Sequence, residues 1–363
     1  MDFEMSKKVG TSMIVPSVQE LAKKPISEIP DRYVRPNQDP VIVSIITSSH
    51  QVPVVDLNKL LSDDSSELEK LDHACKEWGF FQLTNHGVEP SIVENFKAKV
   101  QGFFDQSLEE KKAFWQKPGD MQGFGQMFVV SDEAKLEWAD LFNIVTLPPH
   151  IRNPALFPIL PQPFREALES YSLELKKLCV KLLELMAKAL NINPNELLQF
   201  LDEGLQAMRL NYYPPCPQPD KVIGLNPHSD AVLLTILLQA NEIEGLQIRK
   251  DGNWLPIKPL PNAFVVNIGD MLEIMTNGIY RSIEHRATVN SEKERLSIAT
   301  FQNPRMDSLL SPAPSLVTAE RPVMFKEITV ADFVKAYFSK ELKGKSQLDM
   351  LRIHHNGVNT YSN

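Results

Sequence analysis

The sequence predicts an α+β fold in which a helical first half packs against a β-rich second half. Two observations carry this. Leu168, Tyr171, Leu175, Leu178, Leu182, Leu185 and Ala189 step by three and four residues, the period of one long amphipathic helix. After Gly204 the texture changes to short apolar runs near 207–213, 222–238, 245–249, 254–257, 263–268, 271–275, 280–287 and 294–301. Turn signals such as Asp251-Gly252 and Asn277-Gly278 separate them. About eight short strands in so brief a stretch suit a sandwich or a jelly roll.

The elements follow in order. Residues 1–50 read as irregular. Val52 to Leu57 alternates like a strand. A capping box, Ser66 to Glu69, opens a helix with Leu68, Leu71, Cys75 and Trp78 on one face, and Gly79 ends it. Phe81 to Thr84 reads as a strand closed by Asn85-His86-Gly87. A second helix spans about Ser91 to Phe104, with Val93, Phe96, Val100 and Phe103 on one side. Prolines crowd 148–163, an extended connector into the long helix, whose length is roughly 35–40 Å. Pro214-Pro215-Cys216-Pro217 stops strand pairing abruptly, because proline cannot donate to a ladder. A last helix is expected at Val330 to Phe338. The segments are then 1–50, 51–160, 161–203 with the long helix, a β-core at 204–304, and 305–363.

Composition narrows the class. With 43% hydrophobic and 23% charged residues over 363, the chain is an ordinary globular protein and not a disordered one. No apolar run is long enough for a transmembrane helix, and the opening MDFEMSKKVG lacks the apolar segment of a secretory signal. A net charge of −8 without basic runs argues against nucleic acid or an anionic membrane as partner. Cys75, Cys179 and Cys216 are too scattered for a disulfide framework, so three free thiols in a reducing compartment, the cytoplasm, are expected.

Three features of the β-rich half carry chemistry. His228-Ser229-Asp230 is the only His-x-Asp or His-x-Glu in the chain. On a strand, positions i and i+2 face the same side, so imidazole and carboxylate would point together. His285 lies on the strand expected at 280–287. Two imidazoles and a carboxylate leave open positions on an octahedral ion and suit non-haem Fe(II). A His-x-Asp pair alone occurs by chance in many chains of this length. Next, Arg295, Ser297, Ala299 and Phe301 share one strand face and Leu296, Ile298 and Thr300 the other. A guanidinium beside a hydroxyl suits a carboxylate gripped by parallel hydrogen bonds, an ordinary surface arginine being the other reading. Finally, Arg209, Asn211 and Tyr213 alternate with Met208, Leu210 and Tyr212 and could line the same cavity.

These residues, taken in order, also carry a resemblance. Asn211-Tyr212-Tyr213-Pro214-Pro215-Cys216-Pro217, His228-x-Asp230, His285 and Arg295-x-Ser297 resemble the plant 2-oxoglutarate- and Fe(II)-dependent dioxygenases. Ala74 to Phe81 and Asn85 to Val88 look like that family's leading domain. Gln206 to Arg209 and Leu272 to Gly278 are most similar to the SRG1-like group, which includes the poppy alkaloid O-demethylases. The resemblance implies a double-stranded β-helix, a jelly roll, whose mouth holds iron through His228, Asp230 and His285. It implies that Arg295, Ser297 and Tyr213 hold the distal carboxylate of 2-oxoglutarate, with Asn211 near its metal-bound end. Dioxygen would be the oxidant and ascorbate the reductant. The expected reaction is hydroxylation, or O- or N-demethylation with loss of formaldehyde, coupled to release of succinate and carbon dioxide. An oxidase of the same fold that dispenses with 2-oxoglutarate, or a non-catalytic metabolite-binding barrel, would share many of these residues. The segment 123–128, with the two glycines Gly123 and Gly125 and the large apolar side chains Phe124, Met127 and Phe128, is expected to form a flap over the substrate. With Phe301, and with Arg209 or Asn303 as polar anchors, it would wall a pocket for a flat, multi-ring small molecule. That molecule would be an alkaloid, a flavonoid or another phenolic, and the enzyme is expected to act as a monomer.

Overall fold

Strands with one polar and one apolar face form the two main sheets in the computed structural model, which describes residues 12–24, 28–36, 39, 51–117, 120–127, 129, 131–338 and 344–353. The larger sheet holds β1 (Val54–Asp56), β2 (Phe80–Thr84), β3 (Gly123–Gly125), β4 (Asp140–Leu147), β5 (Gln206–Tyr213), β7 (Leu234–Gln239), β10 (Phe264–Ile268) and β12 (Arg295–Gln302). Their order is β1-β2-β10-β7-β12-β5-β4-β3. The smaller sheet is β6 (Leu225–His228), β11 (His285–Ala287), β8 (Leu246–Lys250) and β9 (Asn253–Pro256), in that order. Apart from β1 with β2, the pairings are antiparallel. This is the jelly-roll core the sequence pattern and the resemblance imply.

The alternation along β5 and β12 decides which way the large sheet faces. Met208, Leu210, Tyr212, Leu296 and Ile298 join one apolar core with Leu168, Tyr171, Leu175, Leu178, Leu182 and Leu185 of the long helix, Gln162–Ala189. Each such side chain contributes about 1.5–3 kcal/mol by leaving water. The helix Pro90–Asp105 adds Val93, Phe96, Val100 and Phe103 to the same core, Phe96 stacking on Tyr171 at 4.7 Å. With the apolar face committed to the helices, the polar face of β5 and β12 must look toward the small sheet. The site lies between them.

Several expectations need correction. Residues 271–275 are not a strand but part of a helix, Asp270–Met275, in which every residue is buried. A short run with no exposed side has no period to read, so strand and buried helix look alike in sequence. The strand expected over 280–287 shrinks to His285–Ala287, because Arg281 N–H donates to Cys75 O and Ser282 N–H to the Glu273 carboxylate instead of to a ladder. The run 222–238 breaks into β6 and β7. The helix Ser65–His73 is capped by Asp64, not by a box at Ser66; the Asp64 side chain accepts from the Ser66 and Glu67 N–H groups. A π-turn, Ala74–Trp78, extends it to Gly79 at φ 60°, where a Cβ would sit 2.2 Å from Arg281 O. The segment before residue 50 is not wholly irregular, since Ser17 caps a short helix, Val18–Ala22. The closing helix lies where expected, at Val330–Phe338.

The flap also departs from expectation. Gly123–Gly125 is an edge strand paired with β4. Phe124 is 1% exposed and turns into the aromatic cluster of Phe103 and Phe142, away from the cavity. Phe128 lies outside the described residues.

Candidate active site

Three side chains meet where β6 ends. His228 is the last residue of β6 and sits directly opposite His285 of β11 in the ladder. Asp230 follows two residues later, in the irregular segment between the end of β6 and the bend at 231–233 that leads to β7. The ligand atoms of His228, Asp230 and His285 all lie within 4.8 Å of one another, and all three residues are buried.

The surroundings aim each atom. His228 Nδ1 lies 2.7 Å from Asn226 O and His285 Nδ1 3.2 Å from Ile283 O, which leaves both Nε2 atoms facing inward. Asp230 Oδ2 accepts from Thr235 Oγ1 at 2.7 Å and Asn267 Nδ2 at 2.8 Å. Its Oδ1 is then left 3.4 Å from His228 Nε2 and 3.7 Å from His285 Nε2. Phe80 packs its ring edgewise on His285 at 5.2 Å. Burial opposes the charge on Asp230, but His285 and the donors around it hold the carboxyl far below its usual range. Burial, with His228 alongside, brings the His285 imidazole down to about 4. His228 Nε2 is buried without a hydrogen-bond partner. Two imidazoles and one ionised carboxylate, with an orphaned nitrogen between them, fit Fe(II).

A small cavity of about 30 Å³ runs from this trio into the space between the sheets. Arg295 and Ser297 of β12 line it opposite Tyr213 and Asn211 of β5, their partners in register. The guanidinium is fully buried, 5.1 Å from the Tyr213 ring, with Nη1 3.4 Å from Ser297 Oγ and Nη2 3.4 Å from Gln239 Oε1. Its Nε has no partner. Asn211 Nδ2 lies 3.4 Å from Ser297 Oγ. These contacts are long and leave donors to spare, as expected of a clamp built for an anion.

A second cavity, about 160 Å³, opens beside His228 and Asp230 and shares Arg209, Asp230 and Phe301 with the first. Met121, Met127, Val145, Phe301, Met306 and Val334 make its wall largely apolar. Arg209 and Asn303 reach it, Arg209 with its Cζ 5.5 Å from the Phe301 ring and its Nε unpartnered. Of the pocket residues named from sequence, Phe301, Met127, Arg209 and Asn303 line this cavity and Phe124 does not.

Comparison with known proteins decides the family. Residues 204–304 match the model of the 2OG-Fe(II) oxygenase superfamily, and residues 52–159 match the N-terminal domain described for a non-haem dioxygenase in morphine synthesis. The chain is 53% identical to oxoglutarate-dependent flavonoid 7-O-demethylase 1 of Ocimum basilicum, over 97% of this chain and 95% of that protein. It is 52% identical to thebaine 6-O-demethylase of Papaver somniferum, over 95% and 98%. The chain belongs to the 2OG-Fe(II) oxygenase superfamily. The crystal structure of JOX2 in complex with 2OG, Fe and JA superposes with a TM-score of 0.85 at 33% identity, covering 94% of this chain and 99% of that one. This superfamily member is therefore an Fe(II)- and 2-oxoglutarate-dependent oxygenase acting on a small molecule. Among the described residues, no helix is long and apolar enough to cross a membrane.

Sequence reasoning missed the layer behind the trio. Asn267 and Thr235, which hold Asp230, stand on strands read only as apolar runs. A lone amide inside Phe264-Val265-Val266-Asn267-Ile268 was a usable signal, since a buried polar group needs a partner. Tyr337, whose hydroxyl donates to Ser229 O at 2.9 Å, left no comparable mark.

Proposed function

We propose that the chain oxidatively demethylates a flat, multi-ring phenolic or alkaloid, with hydroxylation as the same chemistry at a carbon that bears no heteroatom. The observation that carries this reading is the largely apolar cavity that opens beside His228 and Asp230 and adjoins the one lined by Arg295, sharing Arg209, Asp230 and Phe301 with it. Relatives named as demethylases of a flavonoid, of thebaine and of codeine support it.

In this reading His228, Asp230 and His285 hold Fe(II). Arg295, Ser297 and Tyr213 grip the far carboxylate of 2-oxoglutarate, and Asn211 lies near its metal-bound end. Bound Fe(II) supplies the oxidising chemistry: one atom of dioxygen enters a substrate C–H bond, the other enters succinate, and carbon dioxide leaves. The protein's own part is geometric. Arg295 fixes one end of the co-substrate, so its other end is presented to the trio in one orientation. Phe301 and Met127 hold the substrate rings against the trio and keep water out, and Arg209 or Asn303 takes a polar substituent. A hydroxylated O-methyl carbon is a hemiacetal and falls apart into a phenol and formaldehyde. Ascorbate serves as reductant, and the enzyme works as a cytoplasmic monomer, in keeping with three buried free thiols.

The test is a panel of methylated flavonoids and alkaloids supplied with Fe(II), 2-oxoglutarate and ascorbate. The expected result is loss of one methylene mass from at least one multi-ring methyl ether, with formaldehyde equimolar to succinate. Turnover of small hydrophilic acids only would overturn the substrate class.

A further inference from the structure

The clamp residues rest on two places where the small sheet has no side chain. Gly224 stands one residue before β6 and Gly245 one residue before β8, on either side of β11. Both are tied to consecutive residues leaving β11: Gly224 N–H donates to Ala287 O at 2.9 Å, and Thr288 N–H donates to Gly245 O at 2.8 Å. A Cβ on Gly245 would lie 2.7 Å from Arg295 Cδ and 3.1 Å from its Nε. A Cβ on Gly224 would lie 2.7 and 3.0 Å from Cδ1 and Cε1 of the Tyr213 ring. Neither glycine has the left-handed φ that would itself call for glycine, whereas Gly79, Gly87 and Gly252 do. Space is the reason. Each glycine opposes one member of the Arg295–Tyr213 pair, and those two residues are partners in the β12–β5 ladder.

We propose that Gly224 and Gly245 are positioning residues for 2-oxoglutarate, which set how deep the Arg295–Tyr213 clamp lies between the sheets. The inference rests on the assignment of Arg295 and Tyr213 to the co-substrate carboxylate. Interiors are close-packed, so a methyl group placed 2.7 Å from Arg295 Cδ cannot be absorbed in place. The Thr288 carbonyl, 2.9 Å from the same point, blocks relaxation on the backbone side. The arginine stem must move, and the cavity it borders is only about 30 Å³. A fork-shaped contact tolerates little displacement, since both of its hydrogen bonds depend on one plane.

The experiment compares Gly245→Ala and Gly224→Ala with Gly102→Ala, a helical glycine whose added methyl would meet nothing within 4 Å. Readouts are KM for 2-oxoglutarate, kcat, the Fe(II) dissociation constant and KM for the organic substrate. Each clamp-side variant is expected to raise KM for 2-oxoglutarate about tenfold, the scale of one misaligned charge-assisted hydrogen bond. The fall in kcat should be much smaller, iron affinity and substrate KM should hold, and Gly102→Ala should match wild type. Gly245→Ala placed on Arg295→Lys should add less than about twofold, because residues acting through one contact are not additive. If Arg295→Lys leaves KM for 2-oxoglutarate unchanged, the clamp assignment fails. If Arg295→Lys raises it and Gly245→Ala does not, only the glycine inference fails. Equal losses in iron, co-substrate and substrate binding, or insolubility of both variants beside a soluble Gly102→Ala, would make the glycines structural and overturn it.

Discussion

Replacing Arg295 with lysine should raise the Michaelis constant for 2-oxoglutarate by roughly 10- to 100-fold and leave that of the organic substrate nearly unchanged. The guanidinium is 2% exposed, and its two Nη atoms sit 3.4 Å from Ser297 Oγ and Gln239 Oε1. These contacts hold the plane of the fork without saturating it. Lysine keeps the charge but offers one ammonium in place of two parallel donors, so one charge-assisted hydrogen bond to the carboxylate is lost. Such a bond contributes about 1.5–3 kcal/mol, and each 1.36 kcal/mol is a factor of ten. Burial already pulls the Arg295 guanidinium down, with Tyr213 opposing, so the site has little slack for a less delocalised cation. The assay is carbon dioxide release from labelled 2-oxoglutarate, with each substrate varied in turn at saturating Fe(II). Equal rises in both Michaelis constants would refute the clamp and point to a general defect.

Other outcomes follow from the same geometry. Asn267→Ala and Thr235→Val each remove one donor to Asp230 Oδ2, and should weaken Fe(II) binding by about 10- to 100-fold while melting temperatures stay near wild type. Phe301→Ala should weaken substrate binding by about 1–3 kcal/mol yet spare uncoupled 2-oxoglutarate decarboxylation, as read by product and succinate yields. Leu182→Ala, at a fully buried position facing the sheet, should cost about 2–5 kcal/mol in urea unfolding without altering either Michaelis constant. Acid stability of the metal-free protein gives a fourth check. The His285 pKa falls from 6.5 to about 4, so its contribution is present above pH 6.5 and is lost as pH drops through about 4, on the order of 3 kcal/mol. Burial raises the Asp270 carboxyl from 3.8 to about 7, so its contribution is present at low pH and is lost as pH rises through about 7. The two oppose each other between pH 4 and 6.5. Asp270→Asn should therefore lose more stability than wild type on acidification across that window, and an identical loss would contradict the assignment.

How much of this was legible in the sequence depends on whether a residue's neighbours are local. The long helix announced itself because Leu168 to Leu185 repeat on one side of a single element. The faces of β5 and β12 were legible for a similar reason, since strand alternation puts Arg295, Ser297 and Phe301 on one side whatever they pair with. His228 and Asp230 were found by a rule that holds only in part, since Asp230 lies just beyond the last residue of the strand. The helix Asp270–Met275 was misread because it is buried on all sides. Phe124 was misplaced because two flanking glycines suggest a mobile loop, whereas pairing with β4 fixes the backbone and turns the ring inward. Glycines that make room for Arg295 and Tyr213 leave no trace in local pattern at all, because their reason lies on another sheet.

The most direct measurement is anaerobic Fe(II) titration, followed by carbon dioxide release from labelled 2-oxoglutarate, on the wild-type chain and on His285→Ala. The account predicts one Fe(II) per wild-type chain and decarboxylation that depends on it. His285→Ala, folded to the same helical content, should lose both. Decarboxylation above about a tenth of wild type at saturating Fe(II) in His285→Ala would remove that residue from the metal site and contradict the account.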